Sequence, residues 1–164
     1  MHSKVLVPVD ASRNSLTAEE YAIRLNWRTP LKVTLLSVLN TKGLDVGGQL
    51  SPQDRQRILH GLRQRAEKAL ALAAAPFLKA EMDVQTQIET GPPGPTICRV
   101  AQEGDYDLLL IAPSGLSQLE ELISGSVTRY VLHHCQAPVI LVKHSKEQLE
   151  TQRRLRAEQA LLPR

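Results

Sequence analysis

Five short strand-like runs, separated by segments with helical spacing, constrain this 164-residue chain more than any other feature of it. Lys4 to Asp10 (KVLVPVD) and Leu31 to Val38 (LKVTLLSV) are rich in apolar and β-branched residues at successive positions. Strands that read this way have both faces covered, the condition of a parallel sheet with helices packed on either side. Asp107 to Ile111 (DLLLI) repeats the pattern, and Pro138 to Lys143 (PVILVK) is a final strand whose edge is expected to be exposed and open to a partner. Met82 to Glu89 (MDVQTQIE) instead alternates strictly, which predicts a half-exposed strand near a sheet edge.

Between these runs the spacing turns helical. Asn14 to Trp27 carries Leu16, Ala18, Ala22, Ile23 and Leu25 on one stripe, with Ser12 or Asn14 available as its N-cap. Pro52 opens a long helix whose stripe runs through Ile58 or Leu59, Leu62, Ala66, Ala69 or Leu70, Ala73 and Phe77, weakened locally by Gly61. Gly91-Pro92-Pro93-Gly94-Pro95 reads as a stiff turn before a helix over Thr96 to Glu103, and a further helix is expected over 126–135. Strands alternating with helices in this order predict an α/β domain, a doubly wound five-stranded parallel sheet with helices on both faces. That domain is expected over residues 1–144. Residues 145–164 read as a charged helical tail anchored by Leu149, Leu155, Leu161 and Leu162.

Composition narrows the function classes. Hydrophobic residues make up 42% of the chain but aromatic ones only 3%, so a stacking platform for single-stranded nucleic acid is not expected. Net charge is +3, with arginines grouped at 55, 57, 63 and 65 and again at 153, 154 and 156. Both groups are interrupted by Gln, Leu and Glu, as on solvated helix faces, although the basic tail is also a candidate protein-binding element. Cys98 and Cys135 lie on apolar-rich segments without CxxC spacing and read as reduced core thiols, not as a disulfide or metal pair. No run is long enough to cross a membrane, and a strand beginning at Lys4 leaves no room for a signal peptide, so a cytoplasmic location is expected.

Ligand chemistry concentrates in one segment. Ala112-Pro113-Ser114-Gly115 follows a buried strand, and nine residues later Gly125-Ser126-Val127-Thr128 starts a helix. Exposed N–H groups and the positive end of the helix dipole favour an anion there, and Ser126 and Thr128 add hydroxyl donors. Pro113 donates nothing and pushes Ala112 towards an extended conformation. Ligands of open α/β sheets lie beyond the carboxyl ends of the strands, where strand order reverses. If the first strand sits beside the fourth, Asp10 shares that crevice. Its carboxylate can accept from a base amino group or ribose hydroxyls, or instead cap the following helix through Asp10-Ala11-Ser12. Residues 40–51, with Gly43, Gly47 and Gly48, would form the neighbouring loop.

The segment Val5 to Ser15 (VLVPVDASRNS), the strand Asp107 to Ile111, the Gly115-x9-Gly125-Ser126-Val127 spacing and the closing HHCQAPVILVK together resemble the universal stress protein family over residues 3–143. The resemblance implies a Rossmann-like fold and homodimers formed through the last strand. One branch of that family binds ATP or AMP through G-x-x-G-x9-G-[S/T], and another branch lacks the motif. Here Ala112 stands where the first glycine would be. By resemblance Pro8, Val9, Asp10 and Val38 would surround adenine and ribose. Ala112, Ser114, Gly115, Gly125, Ser126 and Val127 would surround ribose and phosphates, with Ile111 and Thr128 completing the set. ATP or AMP, with or without Mg²⁺, is the implied ligand.

No catalytic residue is expected. His133 and His134 are adjacent and point apart, and a Ser126 nucleophile would find His133 two turns away, about 10 Å along the helix. No Walker lysine follows the glycine loop. The reading is therefore a cytoplasmic, homodimeric stress-response protein whose adenine nucleotide serves sensing or signalling. The alternatives are an interaction module of the same fold that binds no nucleotide, and a slow ATP hydrolase.

Overall fold

The computed structural model describes residues 2–10, 17–42, 44, 50–112 and 125–143. Nine elements alternate along it: β1 (Ser3–Pro8), α1 (Thr17–Asn26), β2 (Leu31–Leu39), α2 (Pro52–Lys79), β3 (Asp83–Thr90), α3 (Pro93–Glu103), β4 (Leu108–Ile111), α4 (Ser126–His134) and β5 (Val139–Leu141). The strands form one sheet in the order β3-β2-β1-β4-β5, and every neighbouring pair is parallel. This is the doubly wound α/β architecture that the alternating pattern predicts. The strictly alternating strand, β3, takes an edge as its polar face requires.

Both faces of the sheet are packed. Successive residues of a strand point to opposite sides, so Val5 and Val7 enter one cluster and Leu6 enters the other. The first cluster lies under α1 and α2, through Ala18, Ala22, Leu70, Ala73 and Phe77. The second lies under α3 and α4, through Ile97, Val100, Ala101 and Val131. Phe77 is fully buried in a core otherwise filled by aliphatic side chains and Met82.

Local differences from the sequence pattern have physical causes. The helix expected from Thr96 starts at Pro93, so the prolines form its first turn, where a missing N–H costs nothing, and do not precede it as a separate turn. In α2 the apolar stripe is buried only from Ala66 onward. Ile58 remains exposed because a helix of 28 residues, about 42 Å, overreaches strands of six to nine. The strand expected over 138–143 is shorter, but Val142 N–H still donates to Ile111 O at 2.9 Å. The N-cap candidates Ser12 and Asn14, most of the 40–51 loop, the 113–124 segment and the 145–164 tail lie outside the described residues.

Candidate functional site

Strand order reverses between β1 and β4. From β1 the chain proceeds to α1 on one face, and from β4 to α4 on the other. Connections that diverge in this way leave a crevice at the carboxyl ends of the two strands. Pro8, Val9 and Asp10 close β1, and Ile111 and Ala112 close β4. The structure thus brings the two halves of the expected site to the same sheet edge.

The floor is well fixed. Val9 N–H donates to Leu36 O at 2.7 Å, extending the β1–β2 ladder one residue past Pro8. Ile111 is buried, and Ala112 is half-buried against the cluster that holds Val5, Val7 and Ala18. The methyl group of Ala112 therefore has apolar neighbours to pack on. Val38, near the end of β2, is half-buried on the opposite face, against the cluster of Leu6 and Leu36. Asp10 is exposed. Ser114 and Gly115 lie outside the described residues.

The helix starts differ in the charge and capping of their first turns. α1 has Glu19 and Glu20 in its first turn. α2 is capped by Ser51, whose Oγ accepts from Asp54 N–H at 3.1 Å, and Asp54 itself adds negative charge. α3 begins Pro93-Gly94-Pro95, so two of its first three residues have no N–H. α4 begins Ser126-Val127-Thr128 after Gly125, with no side-chain cap, no acidic residue and no proline in its first turn. Among the described residues, α4 alone starts with no acidic residue, no proline and no side-chain cap in its first turn. Ser126 is exposed, Val127 packs into the cluster of Leu6 and Val131, and Thr128 is buried. Gly125 adopts φ −60°, ψ 123°, an extended conformation open to any residue, so the absence of a side chain is what matters at this position.

One residue of this sheet edge was not among those expected. Glu19, in the first turn of α1, is only 3% exposed, and burial pushes its carboxyl up to about 7, with the charge of Glu20 adding to the effect and its own backbone N–H opposing it. The sequence does carry the signal. Glu19 stands three and four residues before Ala22 and Ile23, inside the apolar stripe. His133 and His134 belong to the other end of α4. Their rings are 6.4 Å apart, and His134 stacks on Tyr130 at 4.1 Å, so they are structural neighbours of the helix end, away from the crevice. No cluster of three or more His, Cys, Asp or Glu capable of holding a metal forms among the described residues. No helix among them is long and apolar enough to cross a membrane.

Comparison with known proteins agrees with this geometry. Residues 1–143 match the family model described as "Universal stress protein family". The chain is 24% identical over 151 residues to the universal stress protein MJ0531 of Methanocaldococcus jannaschii, covering 90% of this chain and 86% of that protein. It is 25% identical over 152 residues to the universal stress protein Sll1388 of Synechocystis, covering 87% and 99%. Among solved structures, the hypothetical protein MJ0577 superposes with a TM-score of 0.74 at 23% identity, over 89% of this chain and 99% of the other. A family member from Arabidopsis thaliana solved with AMP bound superposes with a TM-score of 0.64 at 20% identity, over 88% and 94%. A universal stress protein from Archaeoglobus fulgidus in complex with dAMP superposes with a TM-score of 0.61 at 20% identity, over 87% and 98%.

Proposed function

The chain belongs to the universal stress protein family, and from that premise we propose that it binds an adenine nucleotide, ATP or AMP, in the crevice between β1 and β4. The observation that carries the reading is the uncapped, acid-free and proline-free start of α4 at the point where strand order reverses. Relatives solved with AMP and with dAMP share this fold. The phosphates would accept from the first-turn N–H groups of α4 and from Ser126 Oγ, and Asp10 would accept from ribose or base. Pro8, Val9, Val38, Ile111 and Ala112 would form the walls, and Ser114, Gly115 and Gly125 would let the chain approach the phosphates closely. Val127 anchors the helix start in the core, and Thr128 places a buried hydroxyl within the first turn. Ala112 fits this role although it replaces a glycine, because its methyl group has a packed apolar side to occupy. Any Mg²⁺ would be carried by the phosphate oxygens.

The role proposed for the bound nucleotide is sensing, in a cytoplasmic homodimer joined through β5. That strand lies at the sheet edge with Val139, Ile140 and Leu141 all half-buried, as expected of a strand that takes a further partner. Calorimetric titration with AMP and with Mg-ATP, on wild type and on Gly125→Val, tests the site. Binding to wild type that weakens at least tenfold in the variant, with the fold kept, is the expected result. A folded wild type that binds neither nucleotide would instead make the protein an interaction module of the same fold.

A further inference from the structure

The two cysteines, 37 positions apart in the sequence, meet in the fold. Cys98 lies on α3, and Cys135 follows the last residue of α4. Both thiols are free, half-buried and packed against the same apolar cluster of Leu6, Ile97, Val100 and Val131. The two helices are in close contact along this side. A β-carbon on Gly94 would stand 2.8 Å from Tyr130, and one helical turn further along each helix the chain reaches Cys98 and the vicinity of Cys135. Cys135 is near enough to Cys98 to disfavour its ionised form. Cys135 leaves the helix on extended backbone, at φ −74° and ψ 131°, so its side chain is free of the constraints of the last helical turn.

We propose that Cys98 and Cys135 form a peroxide-responsive dithiol that closes to an intramolecular disulfide joining α3 to the end of α4. The proposal does not depend on nucleotide binding. In the first step Cys135 sulfur attacks a peroxide oxygen and gives up its proton. The O–O bond breaks, sulfur loses two electrons to the peroxide, and the departing hydroxide takes up a proton to leave as water. In the second step Cys98 sulfur attacks the Cys135 sulfenic acid, the S–S bond forms as the S–O bond breaks, and the Cys98 proton leaves with that hydroxide as a second water. Two thiols and one hydrogen peroxide thus give one disulfide and two waters.

Placement assigns the order of these steps: Cys135 stands past the end of α4 on extended backbone, whereas Cys98 lies within α3. Burial first, and the neighbouring Cys135 second, push the Cys98 thiol up to about 12, so it stays protonated at neutral pH and is a poor first attacker. Held beside its partner, it is suited to the intramolecular second step. The bond fixes the end of α4 to α3.

The test treats the full-length reduced protein with hydrogen peroxide and follows intact mass, free thiols and non-reducing peptide maps. The expected product loses two hydrogens and both titratable thiols, yields a linked Cys98–Cys135 peptide, melts on the order of 5–10 °C higher, and reverts with a strong dithiol reductant. Cys135→Ser, at a half-exposed helix end, should keep the fold and lose both the linked peptide and the melting shift. Cys98→Ser should stop the reaction at a Cys135 sulfenic acid that can be trapped with dimedone. Thiols that survive excess peroxide, that oxidise separately to sulfinic acids, or that pair only between molecules would overturn the proposal.

Discussion

Gly94 in the first turn of α3 lies so close to Tyr130 of α4 that a β-carbon added to it would stand 2.8 Å from both Cβ and Cγ of the tyrosine. These are the root atoms of the side chain, fixed to the helix backbone, so the contact cannot be relieved by turning a flexible tip. The spacing of the two helices is set here, and with it the position of the α4 start over the sheet edge. Gly94→Ala should cost about 1–3 kcal/mol despite the better helix propensity of alanine. Urea unfolding measures this, and pairing the change with Tyr130→Ala should recover part of the loss. A neutral Gly94→Ala would mean that the helices separate freely.

Phe77 is the largest fully buried side chain, in a chain with only one phenylalanine. It fills the space between α2 and the β1–β2 face, and its carbonyl accepts from both Ala80 N–H and Met82 N–H at the turn into β3. Phe77→Ala leaves that backbone pairing in place and opens a cavity. The expected loss is roughly 3–5 kcal/mol, read from chemical denaturation. A loss below 1 kcal/mol would show that the aliphatic neighbours collapse into the space.

Glu19 makes stability depend on pH in a direction opposite to most carboxylates. Its folded value of about 7 lies above the ordinary 4.5, so the folded protein holds this proton more tightly than the unfolded chain does. The stability is fully present below about pH 4.5 and is lost as pH rises through 7. Glu19→Gln should therefore be close to neutral at pH 5 and stabilising by roughly 3 kcal/mol at pH 8. Denaturation curves of both proteins at the two pH values decide it, and an identical difference at both would exclude titration of this group as the cause.

The free edge of β5 gives a test of the proposed dimer that spares the sheet. Val142 N–H is directed at Ile111 of β4, so the N–H of Leu141, one residue earlier, faces outward. Leu141→Pro removes an edge donor and no bond to β4. Light scattering should show a dimer in wild type and at least a tenfold weaker one in the variant, with the far-UV spectrum unchanged. Equal association in both proteins would move the interface elsewhere.

The alternation of strands and helices, the residues that end β1 and β4, and the start of α4 were legible in the chain itself, whereas the placing of β1 beside β4 was not. Strict period-two alternation marks β3 as an edge strand, and Gly125-Ser126-Val127-Thr128 announces a helix start. What local pattern could not supply was contact between segments distant in sequence. Pro93 and Pro95 read as part of a turn, and the structure places them instead in the first turn of α3, where proline is tolerated. Glu19 carries the letter of a surface residue, and its burial follows from which face α1 turns to the core. Cys98 and Cys135 have no spacing motif because α3 and α4 bring them together through packing, with β4 running between them in the chain. The sequence determines the elements, their order and the chemistry at the loop ends, since these rest on local periodicity and capping. The tertiary structure alone decides which helix starts are free of competing charge at the crevice and which thiols and rings touch, because these depend on how helices cross over a sheet.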